Sequence, residues 1–168
     1  MSRRGTRRDW PVAVLERATT APDVAATQAV TLAGHQLAVV GAGNRSSAMW
    51  IGADPWVLTR VTHPRSGQPL AFGAGPAGEP ADRPRLHLRA EGLLRTVWSG
   101  QLDGVDVRAR CGQPPGAGEA AFSVTLGDHR VAVSGSTGWF RQRVVLRHDP
   151  ALPVHQVVFL LVFARDVA

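Results

Sequence analysis

Seven arginines and one tryptophan have types and spacing that point to chemistry. Arg85, Arg89, Arg108, Arg110, Arg141, Arg143 and Arg147 occupy the polar phase of runs in which apolar residues alternate, and Trp139 falls in phase with Arg141 and Arg143. A guanidinium is a permanent cation whose planar fork donates two parallel hydrogen bonds to a phosphate or carboxylate. If the strands carrying these residues are neighbours, they build one basic face that can contact an anionic lipid surface or a protein partner. The same pattern also describes an ordinary solvated outer sheet face in a chain that takes all its cations as arginine. An RNA platform would interleave aromatic rings for base stacking, and these arginines have no such interleaving.

Other constellations are weaker. Gln36 to Ser46 reads as a strand entering a glycine turn, Gly41-Ala42-Gly43, like the start of a dinucleotide site. However, Ser46 replaces the third glycine and Gly52 and Pro55 interrupt the would-be helix, so a hairpin end is the better reading. Of the six histidines, His35, His63, His129 and His148 fall in expected turns, and none has metal-ligand spacing. Asp128-His129 and His148-Asp149 are adjacent pairs, whereas chain neighbours rarely face each other as an acid–base pair must. Ser134-Gly135-Ser136-Thr137-Gly138 lacks the pattern of a nucleophile elbow. Cys111 ends a strand and reads as a small apolar filler. No catalytic, metal or cofactor-binding residue is assigned, and no cofactor is expected.

Composition sets the frame for those residues. At 168 residues the chain can bury roughly two-thirds of its unfolded surface without disulfides. Lysine and tyrosine are absent, Asn44 and Ile51 are each the single residue of their type, and arginine, alanine, glycine, valine and proline abound, a bias expected of a GC-rich bacterial genome. Four of the 19 arginines, Arg3, Arg4, Arg7 and Arg8, lie in the first eight residues, so the body carries only about half of the formal +6. That excess is too small for a dedicated nucleic-acid binder. A single cysteine forms no internal disulfide and fits a reducing cytoplasm. The doubled N-terminal arginines resemble an export signal, but Asp9-Trp10-Pro11 and Glu16-Arg17 break the apolar core such a signal needs. The longest apolar run, Val157 to Ala164, is far short of a membrane span.

The elements that must position the arginines are short β-runs. Residues 1–9 read as a basic tail and 10–168 as one β-rich domain, with a loop or a short helical turn from Ala18 to Gln28. From Ala29 onward, apolar runs are broken by turn residues at the spacing of an antiparallel barrel or sandwich. Expected hairpins turn at Ala33-Gly34-His35, at His63 to Gly67, at Glu91-Gly92 between Arg85–Ala90 and Leu93–Trp98, and at Gly127-Asp128. Val105, Val107, Ala109 and Cys111 alternate with charged residues, as in a half-buried strand. Gly73 to Pro84 and Gly112 to Gly118 read as loops. Val154 to Phe163 is apolar on all sides and must be buried on all sides. Asp149-Pro150 ahead of it favours a helix, while its valine and phenylalanine content suits a central strand.

A long β-meander followed by Val144 to Pro153 and then an apolar C-terminal segment resembles the tubby C-terminal-like superfamily, which includes the phospholipid scramblases and LURP-one-related proteins. The resemblance covers about Trp50 to Ala168. It implies a closed barrel of about twelve antiparallel strands threaded by a hydrophobic C-terminal helix. Members bind phosphoinositides through basic residues, but no residue of this chain matches that pattern one for one, and the family has no active site to transfer.

The expected fold is therefore an all-β barrel or sandwich with a buried C-terminal helix. The expected function is a non-enzymatic binding module using the basic face. A barrel enclosing or converting a small apolar ligand, and a subunit of a larger assembly with Trp10, Trp50, Trp56 and Trp98 supplying contact area, are the alternatives. Oligomeric state is left open.

Overall fold

The computed structural model describes residues 9–17, 28–33, 35–40, 46–92, 96–112, 122–137 and 143–167. Twelve strands precede one helix: β1 (Val12–Arg17), β2 (Gln28–Leu32), β3 (His35–Val40), β4 (Ser46–Ile51), β5 (Asp54–Thr62), β6 (Pro69–Pro76), β7 (Leu86–Glu91), β8 (Val97–Leu102), β9 (Val105–Cys111), β10 (Phe122–Leu126), β11 (His129–Thr137), β12 (Arg143–His148) and α1 (Val154–Val167). Each strand pairs antiparallel with its neighbours in sequence. β1 pairs with β2 on one side and β12 on the other, so the meander closes into a barrel. Each described strand therefore has a partner strand on both sides.

Alternation determines which residues face inward. On β7, Leu86 and Leu88 are buried and Arg89 is exposed, and on β9, Val107 and Ala109 are buried while Asp106, Arg108 and Arg110 face solvent. Tight turns hold the register. Asp103 and Gly104 take φ of 50° and 81° between β8 and β9, the left-handed pair of a two-residue hairpin turn. At Gly100 of β8 the backbone of β7 is so close that a Cβ would stand 1.9 Å from the His87 carbonyl oxygen, and only glycine fits there.

The C-terminal segment is a helix, and the barrel encloses it. Every residue from Gln156 to Ala164 is buried, which an isolated surface helix could not tolerate and a barrel interior requires. Phe163 meets Phe72 of β6, Trp98 of β8 and Phe122 of β10 edge-on, with ring centroids 5.4, 5.1 and 5.3 Å away. The helix also approaches β1, β4 and β12, so its walls come from around the ring. At its C-terminal end, Asp166 is ion-paired with Arg60 of β5 and with the neighbouring Arg165.

Several expectations are corrected. Asp149 does not cap the helix. Its carboxylate accepts from the Ala151 amide at 2.8 Å and its carbonyl from Leu152 at 3.0 Å, closing a separate turn, and the helix starts after Pro153. Gly73 to Pro76 is strand, not loop, and of the strand expected over Leu93–Trp98 the described part belongs to β8, which continues to Leu102. Ser46–Ile51, by contrast, is strand β4 paired antiparallel with β3, in line with the preferred reading of Gln36 to Ser46 as a hairpin end. Trp98 and Trp56 belong to the core, whereas Trp50 is 46% exposed. Residues 1–8, 18–27, 41–45, 93–95 and 113–118 lie outside the described residues, and Gln28 begins β2.

Candidate anion-binding face

Strands β7 to β11 are consecutive around the barrel, so their outward residues form cross-strand rows. Register places Arg89 opposite Ser99, Ser99 opposite Arg108, Arg108 opposite Thr125 and Thr125 opposite Arg130. At the usual strand spacing, successive arginines of this row stand about 10 Å apart with a hydroxyl residue between them. A second row places Arg110 between Val97 and Ser123. Long arginines around short serines, threonine and Gly100 leave a trough of about 920 Å³.

The charges in the trough are partly matched. Arg108 lies 3.6 Å from Glu91. A hydrogen bond with Ser99, helped by the charge and hydrogen bond of Arg108, outweighs the opposing effect of desolvation and holds the Glu91 carboxyl below its ordinary value. Gln101 donates to Asp106 at 3.0 Å, and Asp106 and Asp128 line the trough near the β10–β11 turn. Arg89, Arg110 and Arg130 form no ion pair with any described residue. Their donors are available to a ligand carrying several acceptor oxygens.

Of the eight residues singled out from sequence, the structure brings together Arg89, Arg108 and Arg110. Arg147 faces outward on β12, where it pairs with Val133 and Val12, and β10 and β11 separate it from Arg110. Trp139 and Arg141 lie outside the described residues, as does the side chain of Arg143. Arg85 belongs elsewhere. It precedes β7 and sits at the mouth of the barrel, 3.3 Å from Asp103, with its guanidinium 5.9 Å above the Trp56 ring.

That mouth is built to hold the helix. The Asp103 carboxylate accepts from His155 Nε2 at 2.5 Å and Gln156 Nε2 at 2.7 Å, and Trp56 stacks on His155 with centroids 5.2 Å apart. Burial alone would raise the Asp103 carboxyl. The hydrogen bonds from Gln156 and His155, with the positive charges around it, outweigh burial and hold it below its ordinary value. A carboxylate at the first turn also suits the positive end of the helix dipole.

Arg130 was not among the candidates. A bulge where the partner of Thr125 shifts to Arg130 makes Val131 and Ala132 both buried and puts Arg130 out of step with simple alternation. Ser99, Ser123 and Thr125 gain their meaning only from register. Burial pushes the Cys111 thiol up to about 11, so it is protonated near neutrality. His63 accepts from the amides of Arg65 and Ser66 in its own turn. Among the described residues, no three His, Cys, Asp or Glu side chains cluster as a metal site requires, and no helix is long and apolar enough to cross a membrane.

Comparison of the chain with protein-family models, curated proteins and solved structures finds no match.

Proposed function

We propose that the protein is a non-enzymatic binding module that takes phosphate-type anions, in particular those of anionic lipid headgroups, on the outer face of β7 to β11. The observation that carries this reading is the row Arg89, Ser99, Arg108, Thr125 and Arg130, in which forked cations alternate with hydroxyls and all but Arg89 line the trough. Such a surface offers donors to several oxygens of one headgroup. A ligand inside the barrel has less support, because the buried helix fills that space. The resemblance to tubby C-terminal-like proteins implies this arrangement of twelve strands around a C-terminal helix, and it favours a lipid-facing outer surface without transferring any ligand residue. A lone cysteine supports a cytoplasmic setting.

The test is co-sedimentation with phosphatidylcholine vesicles made with and without phosphatidic acid. Each arginine near an anionic surface contributes about 1 kcal/mol, so R108Q with R110Q should lower the partition coefficient about 30-fold. Both side chains are exposed, so thermal stability should hold within about 0.5 kcal/mol per site. Unchanged vesicle binding in the double variant contradicts the proposal.

A further inference from the structure

Next to the arginine trough the barrel surface changes character. The outward residues Val57, Thr59 and Val61 on β5 and Ala71, Gly73 and Gly75 on β6 are uncharged, and Val61 is 57% exposed. The β6–β7 connection folds back over part of this face. A Cβ on Gly73 would stand 2.9 Å from Thr59 Oγ1 and 3.1 Å from Pro84 Cγ, so glycine there lets Pro84 lie close against the sheet.

Between this strap and the strands runs a second groove of about 530 Å³, floored by Thr59, Val61, Ala71 and Gly73 and rimmed by Arg83 and Arg89. It meets the arginine trough at His87 and Gln101, which line both. His87 Nδ1 is buried at that junction with no hydrogen-bond partner among the described residues. A buried ring nitrogen left unpaired is costly and suits a site completed by a ligand.

One cross-strand row therefore reads Val61, Ala71, Arg89, Ser99, Arg108, apolar at one end and cationic at the other. Four strand spacings separate its ends, about 19 Å. We infer that the two grooves form one site for a single-chain anionic amphiphile, with a phosphomonoester head on Arg89 and Arg108 and an alkyl chain along Val61, Ala71 and Gly73 beneath the strap. The shape and charge of the row specify this occupant, because a free phosphate would leave the apolar groove unused and an uncharged chain would leave the arginines unmatched. The inference rests on the anion-binding reading above and adds the chain-binding half of the site.

The experiment is calorimetric titration of the full chain with n-dodecyl phosphate, n-butyl phosphate, inorganic phosphate and dodecyl maltoside, all below micelle-forming concentrations. Each methylene buried in the groove multiplies affinity by about four, so burying about four of the eight extra methylenes should make the dodecyl ester bind more than about a hundredfold tighter than the butyl ester. V61D should remove most of that gain. The chain-length comparison needs no variant and stands if V61D fails to fold. Equal affinity for the two esters, with binding still lost in R108Q/R110Q, overturns the chain site and leaves the anion reading intact. Phosphate binding that ignores Arg108 and Arg110 removes both. Dodecyl maltoside binding as tightly as dodecyl phosphate overturns the assignment of an anionic head.

Discussion

Replacing Phe163 with alanine tests the architecture from its centre. The ring is 1% exposed and is held edge-on by Phe72, Trp98 and Phe122 from three strands of the closed sheet. Truncating a buried phenylalanine costs about 3–5 kcal/mol, and the cost approaches the upper end where the surroundings cannot collapse into the void. Here the neighbouring rings are attached to strands paired on both sides, so about 4–5 kcal/mol is expected. For a chain of this size each kcal/mol shifts Tm by about 2–4 °C, giving a fall of about 8–20 °C. Calorimetry or far-UV circular dichroism would read the shift, and urea unfolding with an unchanged m value would show that the native state keeps its compactness. V154S, at a position 41% exposed at the start of the helix, should change stability by no more than about 0.5 kcal/mol. The void is apolar and enclosed, so benzene should bind F163A and recover part of the loss. A fall of less than about 3 °C for F163A, equivalent to about 1 kcal/mol, would refute the placement of the helix inside the barrel.

Further consequences are checkable separately. D103N keeps a residue type that tolerates the positive φ of the β8–β9 turn but removes the charge, and it should cost about 1–2 kcal/mol at neutral pH. Because the folded carboxyl titrates below its ordinary 3.8, its contribution is complete above that value and disappears as pH falls through the lower folded value. The gap between wild type and variant should therefore close in acid, and a pH-independent gap measured by urea unfolding contradicts the role given to Asp103. G100A forces a Cβ against the His87 carbonyl and should destabilise by about 3 kcal/mol or more, and a variant melting with wild type refutes the close approach of β7 and β8. Cys111, with its thiol at about 11 against an ordinary 9.0, should carry about a hundredfold less thiolate than a free cysteine and alkylate correspondingly slowly with iodoacetamide.

The parts of the fold legible in the sequence are those whose signal is local. Alternation over Val105 to Cys111 marks β9, although Val105 itself is exposed at the strand start, and the Gly127-Asp128 turn marks the β10–β11 hairpin. Other elements depend on distant partners. Val12–Arg17 follows a basic tail and Trp10-Pro11, and only its pairing with β2 and β12 makes it the strand that closes the barrel. Gly73 looks like a loop residue because glycine there leaves room for the strap, which short-range pattern does not reveal. The apolar run at the C-terminus suits either helix or strand by composition, and what distinguishes them is enclosure by the whole ring. For the site, strand phase found Arg89, Arg108 and Arg110 but grouped them with Arg85, which lies one residue before β7 and turns to the barrel mouth. Arg130 was hidden by a bulge, and the hydroxyls between the arginines by register.

The most direct test of the anion-binding face is NMR of the arginine side chains. Titrating the full chain with n-butyl phosphate and following the Nε–Hε signals should shift Arg89, Arg108, Arg110 and Arg130 together along one binding curve, while Arg85, engaged with Asp103, and Arg147, apart on β12, stay in place. Uniform small shifts over all arginines, or shifts confined to residues outside the trough, contradict the account.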